Sequence, residues 1–214
     1  VIDQEKMAVI LQEVVGHQYG DHFYPNMSGV LRSINYYPIG NETAEDGIAS
    51  LALGLGKYIV DGGLTLRVSP YHPDQVMQTS EVETALRETQ TQFYALDMSD
   101  VGSDFKVNDG FNIMKLKVKD AEYDKSLNYI VSTFDPYDQM IYDGLYDGGR
   151  KIISFAGVLQ QDVFPLPEIL QMSMKYGAGA MRRPVEIEFA CNINEDKTGE
   201  FYLLQIRPIV EAKG

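Results

Sequence analysis

The chain has 214 residues, of which 44% are hydrophobic, and this is enough for a domain with a substantial buried core. Its net charge of −13, from 31 acidic and 18 basic residues, repels nucleic-acid phosphate and anionic lipid, so neither is an expected partner. No run of about 18 consecutive apolar residues occurs, so no segment is expected to span a membrane.

The ends and the cysteine content of the chain also carry information. The chain opens without an initiator methionine and without a charged-then-apolar leader, so we expect residues 1–214 to be a single domain cut from a longer polypeptide. The single cysteine, Cys191, cannot form an internal disulfide, which favours a reducing cytoplasm. It lies in a strand pattern, and a buried, inert thiol is expected there rather than a nucleophile.

The first third of the chain predicts strands separated by loops. Residues 7–15 are an apolar run, typical of a buried strand, and residues 16–29 are rich in turn-forming residues, which predicts a loop. His17 and His22 lie in this loop at a spacing that suits a metal, but no third ligand is near and exposed loop histidines are commoner. Residues 30–40 predict a second strand, which ends at Pro38.

The next segments alternate between ambiguous and clear patterns. Residues 41–63 have no clear period: Thr43 is a candidate helix cap, but Gly54 and Gly56 would break a helix. Residues 64–70 alternate between apolar and polar side chains, which predicts a strand.

The second half of the chain continues this mixture of strands and helices. Ser80 and Glu83 have the spacing of a capping box, which predicts a short helix. The Asp-, Tyr- and Gly-rich residues 134–150 fit no EF-hand spacing and predict a surface loop. Further strands are predicted at 92–98, 111–119 and 151–157, and a helix from about Pro167 to Gly177. Strands outnumber helices without regular alternation, so the predicted fold class is α+β with a largely antiparallel sheet and a few helices.

Two strands near the end of the chain predict a β-hairpin. Residues 184–193 and 200–210 flank a turn-rich segment, and we expect Ile193 to lie opposite Glu200. Strict alternation places Phe201 on the same side as the two polar residues that end the second strand.

This register would gather polar side chains on one face. Glu188 would face Gln205, and Glu186 would face Arg207, with an apolar layer behind them. One interpretation is a solvated sheet face with a weak cross-strand ion pair. The other is a metal–phosphate site, because Mg²⁺ prefers carboxylate and amide oxygens together with phosphate, and arginine binds phosphate in a bidentate manner.

The segments EIEF and LLQIRP, which contain these four residues, resemble the end of the nucleotide-binding domain of phosphoenolpyruvate synthase and pyruvate phosphate dikinase, a member of the ATP-grasp superfamily. The family pattern is an acid, any residue, Glu and an aromatic, followed later by Leu-Gln-x-Arg. Residues 7–15, 27–33 and 54–62 resemble three earlier family motifs in the same order. Residues 80–157 match no family motif.

The resemblance implies the C-terminal lobe of an ATP-grasp domain that binds ATP and Mg²⁺. It implies Glu186, Glu188 and Gln205 at the metal and Arg207 at the triphosphate, so that Arg207 is the expected catalytic residue. It also implies an adenine edge lined by three consecutive residues, Gln12, Glu13 and Val14.

Three residues depart from the family pattern. Glu186 stands where Asp is usual, Arg32 stands where an aromatic residue is common, and Lys57 replaces an acid. The Lys57 charge reversal weighs against ordinary catalysis.

The implied function is that of a phosphoenolpyruvate-synthase-like phosphotransferase, which converts ATP, pyruvate and water to phosphoenolpyruvate, AMP and phosphate through a phosphohistidine. The expected partners are ATP and the rest of a parent polypeptide, including an N-terminal ATP-grasp lobe and a phosphohistidine domain. The isolated chain is expected to be inactive. Two alternatives remain: a degenerate, non-catalytic nucleotide-binding or regulatory module, and a related dikinase with another phosphate acceptor.

Overall fold

Three antiparallel sheets organise the chain in a computed structural model that describes residues 6–99, 110 and 112–210. Five α-helices and two short 3₁₀ turns accompany them in this part of the chain, which confirms the α+β class with largely antiparallel sheets. Buried apolar side chains from all three sheets form one continuous core cluster. None of the helices in the described ranges is long and apolar enough to cross a membrane.

The largest sheet has five strands in the order β12-β11-β3-β4-β5. Its strands are β3 (Met27–Arg32), β4 (Ile48–Ala52), β5 (Leu66–Val68), β11 (Val185–Ile193) and β12 (Gly199–Pro208). The predicted strand at residues 64–70 is therefore confirmed, whereas the one at 30–40 begins earlier and ends at Arg32. One face of this sheet is fully buried, with Leu31, Leu51, Ile187 and Phe189 in the core.

Helix α5 (Leu166–Met181) packs on the buried face of this sheet. The predicted end of this helix at Gly177 is wrong, because the helix continues for another turn. Gly177 is instead the point of close approach: a Cβ there would lie 2.8 Å from Ile206 Cδ1 and 3.3 Å from Ile187 Cδ1. Glycine at this position therefore serves packing against the sheet rather than helix termination.

The second sheet has the order β1-β2-β6-β7, with β1 (His17–Tyr19), β2 (His22–Tyr24), β6 (Gln92–Asp97) and β7 (Ile113–Lys117). The loop predicted at residues 16–29 is wrong, since a two-residue turn at Gly20–Asp21 joins β1 and β2 into a hairpin. Gly20 has φ +59°, the conformation that such turns require. The strand predicted at 92–98 is confirmed, and the one predicted at 111–119 is confirmed over Ile113–Lys117. Val118 and Lys119 instead begin a helix, and residue 111 lies outside the described residues.

The third sheet has the order β10-β8-β9, with β8 (Val131–Asp135), β9 (Met140–Asp143) and β10 (Arg150–Ile153). The surface loop predicted at residues 134–150 is therefore wrong: β9 lies inside it and pairs with β8. Asp138, Asp147 and the three glycines of this segment lie between the strands, whereas Asp135 and Asp143 are the last residues of β8 and β9. The buried strand predicted from residue 151 is confirmed as β10.

The remaining helices are α1 (Lys57–Val60), α2 (Val82–Glu88), α3 (Val118–Tyr123) and α4 (Ala156–Gln160). The short helix predicted after Ser80 is confirmed as α2, but its capping box is wrong, because the Ser80 hydroxyl donates to the Met77 carbonyl at 2.8 Å. Thr43 caps only a 3₁₀ turn, Ala44–Asp46.

The prediction of a buried strand at residues 7–15 is wrong. This segment has no regular secondary structure, and its apolar side chains are exposed, Met7 by 91% and Leu11 by 93%. An apolar run is buried only if another element packs on it, and the described residues place none there.

Candidate functional site

The β11–β12 hairpin has the predicted register at its polar end. Glu186 lies opposite Arg207 and Glu188 lies opposite Gln205. The register then shifts between Glu188 and Phe189, so that Ile193 faces Gly199 rather than Glu200 as predicted. The shift is a β-bulge, in which one strand contributes an extra residue.

The bulge changes which side chains of β12 share a face. Phe201 lies opposite Cys191, and its ring stacks on Phe189 with centroids 5.0 Å apart and an interplanar angle of 23°. The strict alternation that placed Phe201 beside Gln205 and Arg207 is therefore wrong. Because of the bulge, Phe201 packs toward the core, whereas Gln205 and Arg207 stay on the opposite face.

Three charged residues form the centre of this polar face. Glu186 accepts a hydrogen bond from Arg32 Nε on its Oε2 atom at 2.8 Å, and from Arg207 Nε on its Oε1 atom at 2.9 Å. Arg207 Nη2 also donates to Oε1. The Glu186 side chain is only 9% exposed, whereas Arg32 and Arg207 are 51% and 60% exposed. A buried carboxylate is thus covered by two guanidinium groups that reach solvent.

The electrostatics of Glu186 follow from this arrangement. Burial opposes its ionisation, but the hydrogen bonds and charges of Arg32 and Arg207 outweigh burial and lower the pKa of Glu186 below 4.5. In return, the hydrogen bond to Glu186 raises the pKa of Arg207, with the smallest contribution from the charge of Glu188. The carboxylate is therefore ionised at neutral pH.

Glu188 and Gln205 lie opposite each other on the same face, beside this ion-pair cluster. Neither side chain makes a hydrogen bond within the described ranges, so their oxygen atoms remain available to a ligand. Those ranges contain no group of three or more His, Cys, Asp or Glu side chains that could hold a metal. Of the three predicted metal ligands, Glu188 and Gln205 fit the role, while both oxygens of Glu186 already accept from arginine. The full ligand set stays a prediction.

The polar face forms the floor of a cleft of about 400 Å³. Its floor includes Arg32, Glu186, Glu188 and Arg207. Helix α1 and the loop after it form the wall, through Ile59, Val60, Gly63 and Thr65. The cleft is thus built by the pairing of β12, β11, β3 and β4 and closed on one side by the segment from Gly54 onward.

That segment is held in place by a close backbone approach, a buried hydrogen bond and an exposed ion pair. Gly54 has φ +86°, and a Cβ there would lie 2.6 Å from the Tyr94 carbonyl oxygen, so only glycine fits. The buried Ser28 hydroxyl donates to the Gly54 carbonyl at 2.7 Å. Lys57, at the start of α1, forms an ion pair with Asp61 at 2.9 Å.

Two of the three predicted adenine-edge residues, Gln12 and Glu13, lie near the middle of β12. Gln12 Nε2 donates to the Leu204 carbonyl at 3.1 Å. Glu13 is close enough to Tyr202 that its charge contributes to raising the pKa of that phenol, although the hydrogen bond from Tyr202 to Glu200 contributes most. Val14 is half-exposed. Gln12 therefore contacts the edge strand β12, although most side chains of its segment are exposed.

Sequence reasoning missed Arg32 as a member of the cluster. Its neighbour Glu186 is 154 positions away, and only the pairing of β3 with β11 places the two residues opposite each other. The signal that could have identified this contact from the sequence is that Arg32 and Glu186 both depart from the pattern of the resembled family.

An α+β domain whose largest sheet presents arginines and carboxylates in one cleft is suited to a phosphate-bearing ligand or its metal. The family model for the AMP/ATP-binding domain of pyruvate phosphate dikinase matches residues 2–213, so the chain belongs to this family. A comparison with curated proteins found no match.

Proposed function

We propose that this chain is the C-terminal ATP-grasp lobe of a phosphoenolpyruvate-synthase-like phosphotransferase, and that the polar face of the five-stranded sheet binds the triphosphate of ATP. The observation that carries the proposal is the convergence of Glu186, Glu188 and Arg207 in one cleft, with Gln205 opposite Glu188 on the same sheet face, in a chain of the AMP/ATP-binding family.

The orientation of the nucleotide follows from the order of groups along β12. Gln12 contacts the strand at Leu204, and Arg207 lies three residues further on, a distance of about 10 Å at roughly 3.3 Å per residue. This order supports an adenine beside Gln12, Glu13 and Val14 and phosphates beside Arg207. The half-exposed guanidinium of Arg207 would neutralise charge on the phosphates during transfer, which makes it the proposed catalytic residue.

Glu188 and Gln205 are the proposed principal magnesium ligands, and Glu186 would join them only by releasing an arginine. A bound Mg²⁺ would supply charge neutralisation between phosphate oxygens and the carboxylate. The chain itself orients these oxygens. The bulge and the stacking of Phe189 on Phe201 fix the conformation of the hairpin next to Glu188.

In the proposed reaction, ATP phosphorylates a histidine on another domain of the parent polypeptide, and that phosphohistidine then phosphorylates pyruvate. The N-terminal ATP-grasp lobe and the phosphohistidine domain are the proposed partners. A dikinase with a different final acceptor would use the same face, because acceptor choice would lie in those other domains.

The test is ATP-dependent histidine phosphorylation in the parent polypeptide. We expect Glu188→Gln and Arg207→Ala each to weaken ATP use by at least tenfold, because each removes a group that meets the phosphates or their metal. Lys115→Ala is the matched control: it removes a charge on β7, in a different sheet, and should leave the activity unchanged. Unchanged activity in both hairpin variants would show that this face is a solvated sheet surface that binds no ligand.

One observation favours a second candidate, a non-catalytic nucleotide-binding module. Lys57 replaces a family acid at the start of α1 and its ammonium group is engaged by Asp61 at 2.9 Å. If position 57 must be acidic for transfer, Lys57→Glu should create or raise phosphotransferase activity in the parent polypeptide. If the wild-type protein binds ATP but never phosphorylates the histidine, the chain is a non-catalytic nucleotide-binding module. Histidine phosphorylation by the wild-type protein would reject this second candidate.

A further inference from the structure

Arg32 lies on the polar face of the sheet. Strand pairing uses only its backbone and does not require a charged side chain at this position. Arg32 is the last residue of β3, with Glu186 of β11 opposite it on one side and Ile48 of β4 on the other. Its side chain lines the same cleft as Arg207 and is half-exposed. Arg32 and Arg207 therefore reach the same cleft from the two sides of Glu186.

The hydrogen bonds of Glu186 show that Arg32 is more than a neutralising partner. One arginine suffices to pair with one carboxylate, and Arg207 already donates to Oε1 of Glu186 through two of its nitrogens. Arg32 donates to the other oxygen through Nε alone. Its two terminal nitrogens make no hydrogen bond to the described residues, so most of its five N–H donors remain available.

The local charge is also unusual for this protein. The chain as a whole carries −13, which disfavours the approach of an anion. Yet the charges of the four ionised side chains that line this cleft, Arg32, Arg207, Glu186 and Glu188, sum to zero, and both guanidinium groups donate to the mostly buried carboxylate of Glu186 that lies between them. Planar guanidinium groups bind phosphate oxygens through parallel N–H bonds, and a pair of them matches a polyphosphate better than one does.

We propose that Arg32 and Arg207 form a two-arginine clamp for the polyphosphate of the ligand, with Glu186 as the positioning residue that holds both guanidinium groups. The identity of the polyphosphate as part of ATP rests on the proposed function, but the clamp itself does not. The clamp adds Arg32 as a binding residue and assigns Glu186 to arginine rather than to a metal.

The experiment measures the binding of three probes by calorimetry: inorganic tripolyphosphate, ATP and adenosine. Arg32→Met should weaken both polyphosphate probes about tenfold, equivalent to about 1.4 kcal/mol, and leave adenosine unchanged. Arg32→Lys keeps the charge but loses the planar fork, so it should be intermediate. Arg87→Met is the control, since Arg87 is exposed on α2 and pairs with Glu88, away from the cleft.

The outcomes separate the clamp from the proposed function. Equal tripolyphosphate binding by the wild-type protein and both Arg32 variants overturns the clamp, whether or not ATP binds. Arg32-dependent binding of tripolyphosphate, without any gain from the adenosine part of ATP, supports the clamp and rejects the nucleotide function. A wild-type protein that binds neither polyphosphate probe rejects both. If Arg32→Met does not fold, Arg32→Lys decides, because it retains a cation beside Glu186.

Discussion

Replacing Glu186 with glutamine tests whether this carboxylate is the support of the two arginines. The Glu186 side chain is 9% exposed and accepts hydrogen bonds at 2.8 and 2.9 Å from guanidinium groups that are more than half exposed. Fully exposed ion pairs contribute about 0–1 kcal/mol, and breaking a fully buried one costs about 3–5 kcal/mol. The ion pairs of Glu186 with Arg32 and Arg207 are intermediate in exposure, because the carboxylate is buried and the guanidinium groups are not. We therefore expect Glu186→Gln to lower the free energy of unfolding by about 2 kcal/mol at pH 7.

The pH dependence gives an independent check. The pKa of Glu186 is lowered in the folded state from its ordinary value of 4.5. The stability that its ionised form contributes is therefore fully present above about pH 4.5 and is lost as the pH falls through the folded-state pKa. The difference between the wild-type protein and Glu186→Gln should shrink across this acid range.

The assay is urea denaturation at pH 7 and at several pH values below 4.5, with Glu188→Gln as the matched control. Glu188 lies on the same strand and face but has no side-chain hydrogen bond within the described residues, so its variant should lose less than about 0.5 kcal/mol. A Glu186→Gln protein as stable as Glu188→Gln at pH 7 would refute the reasoning, as would a difference that does not change with pH.

Three further outcomes are expected. Mg-ATP should bind this chain alone only at about millimolar Kd, near −4 kcal/mol, without turnover, because the face is open to solvent; calorimetry that gave micromolar binding would contradict this. Gly177→Leu should destabilise the fold by about 1–3 kcal/mol in thermal denaturation, because a side chain there meets Ile206, whereas Gly179→Leu on the same helix meets nothing within 4 Å and should not. Cys191 is fully buried, and burial raises the pKa of its thiol, so it should react with a thiol reagent only under denaturing conditions; rapid labelling of the folded protein would show the burial to be wrong.

The sequence by itself determined the hairpin and the pairing of its four polar residues. Alternation of apolar and polar side chains on two nearby strands is a local signal. The register counted from the turn is wrong by one residue, and the polar pairs match the prediction because the bulge offsets that difference. The same reasoning could not place the bulge after Glu188, because no residue in β12 marks which strand position will be left unpaired. Alternation therefore failed for Phe201, whose side chain follows the core rather than the strict period of two.

Only the tertiary structure decided the rest of the site. Arg32 lies 154 positions from Glu186, and strand pairing between distant segments brings them together. The exposed residues 7–15 and the strand β9 within an apparent loop show the same limit. Burial and sheet pairing depend on what packs against a segment. The composition of a segment therefore limits which structures it can adopt, and contacts with residues distant in the sequence decide which of them forms.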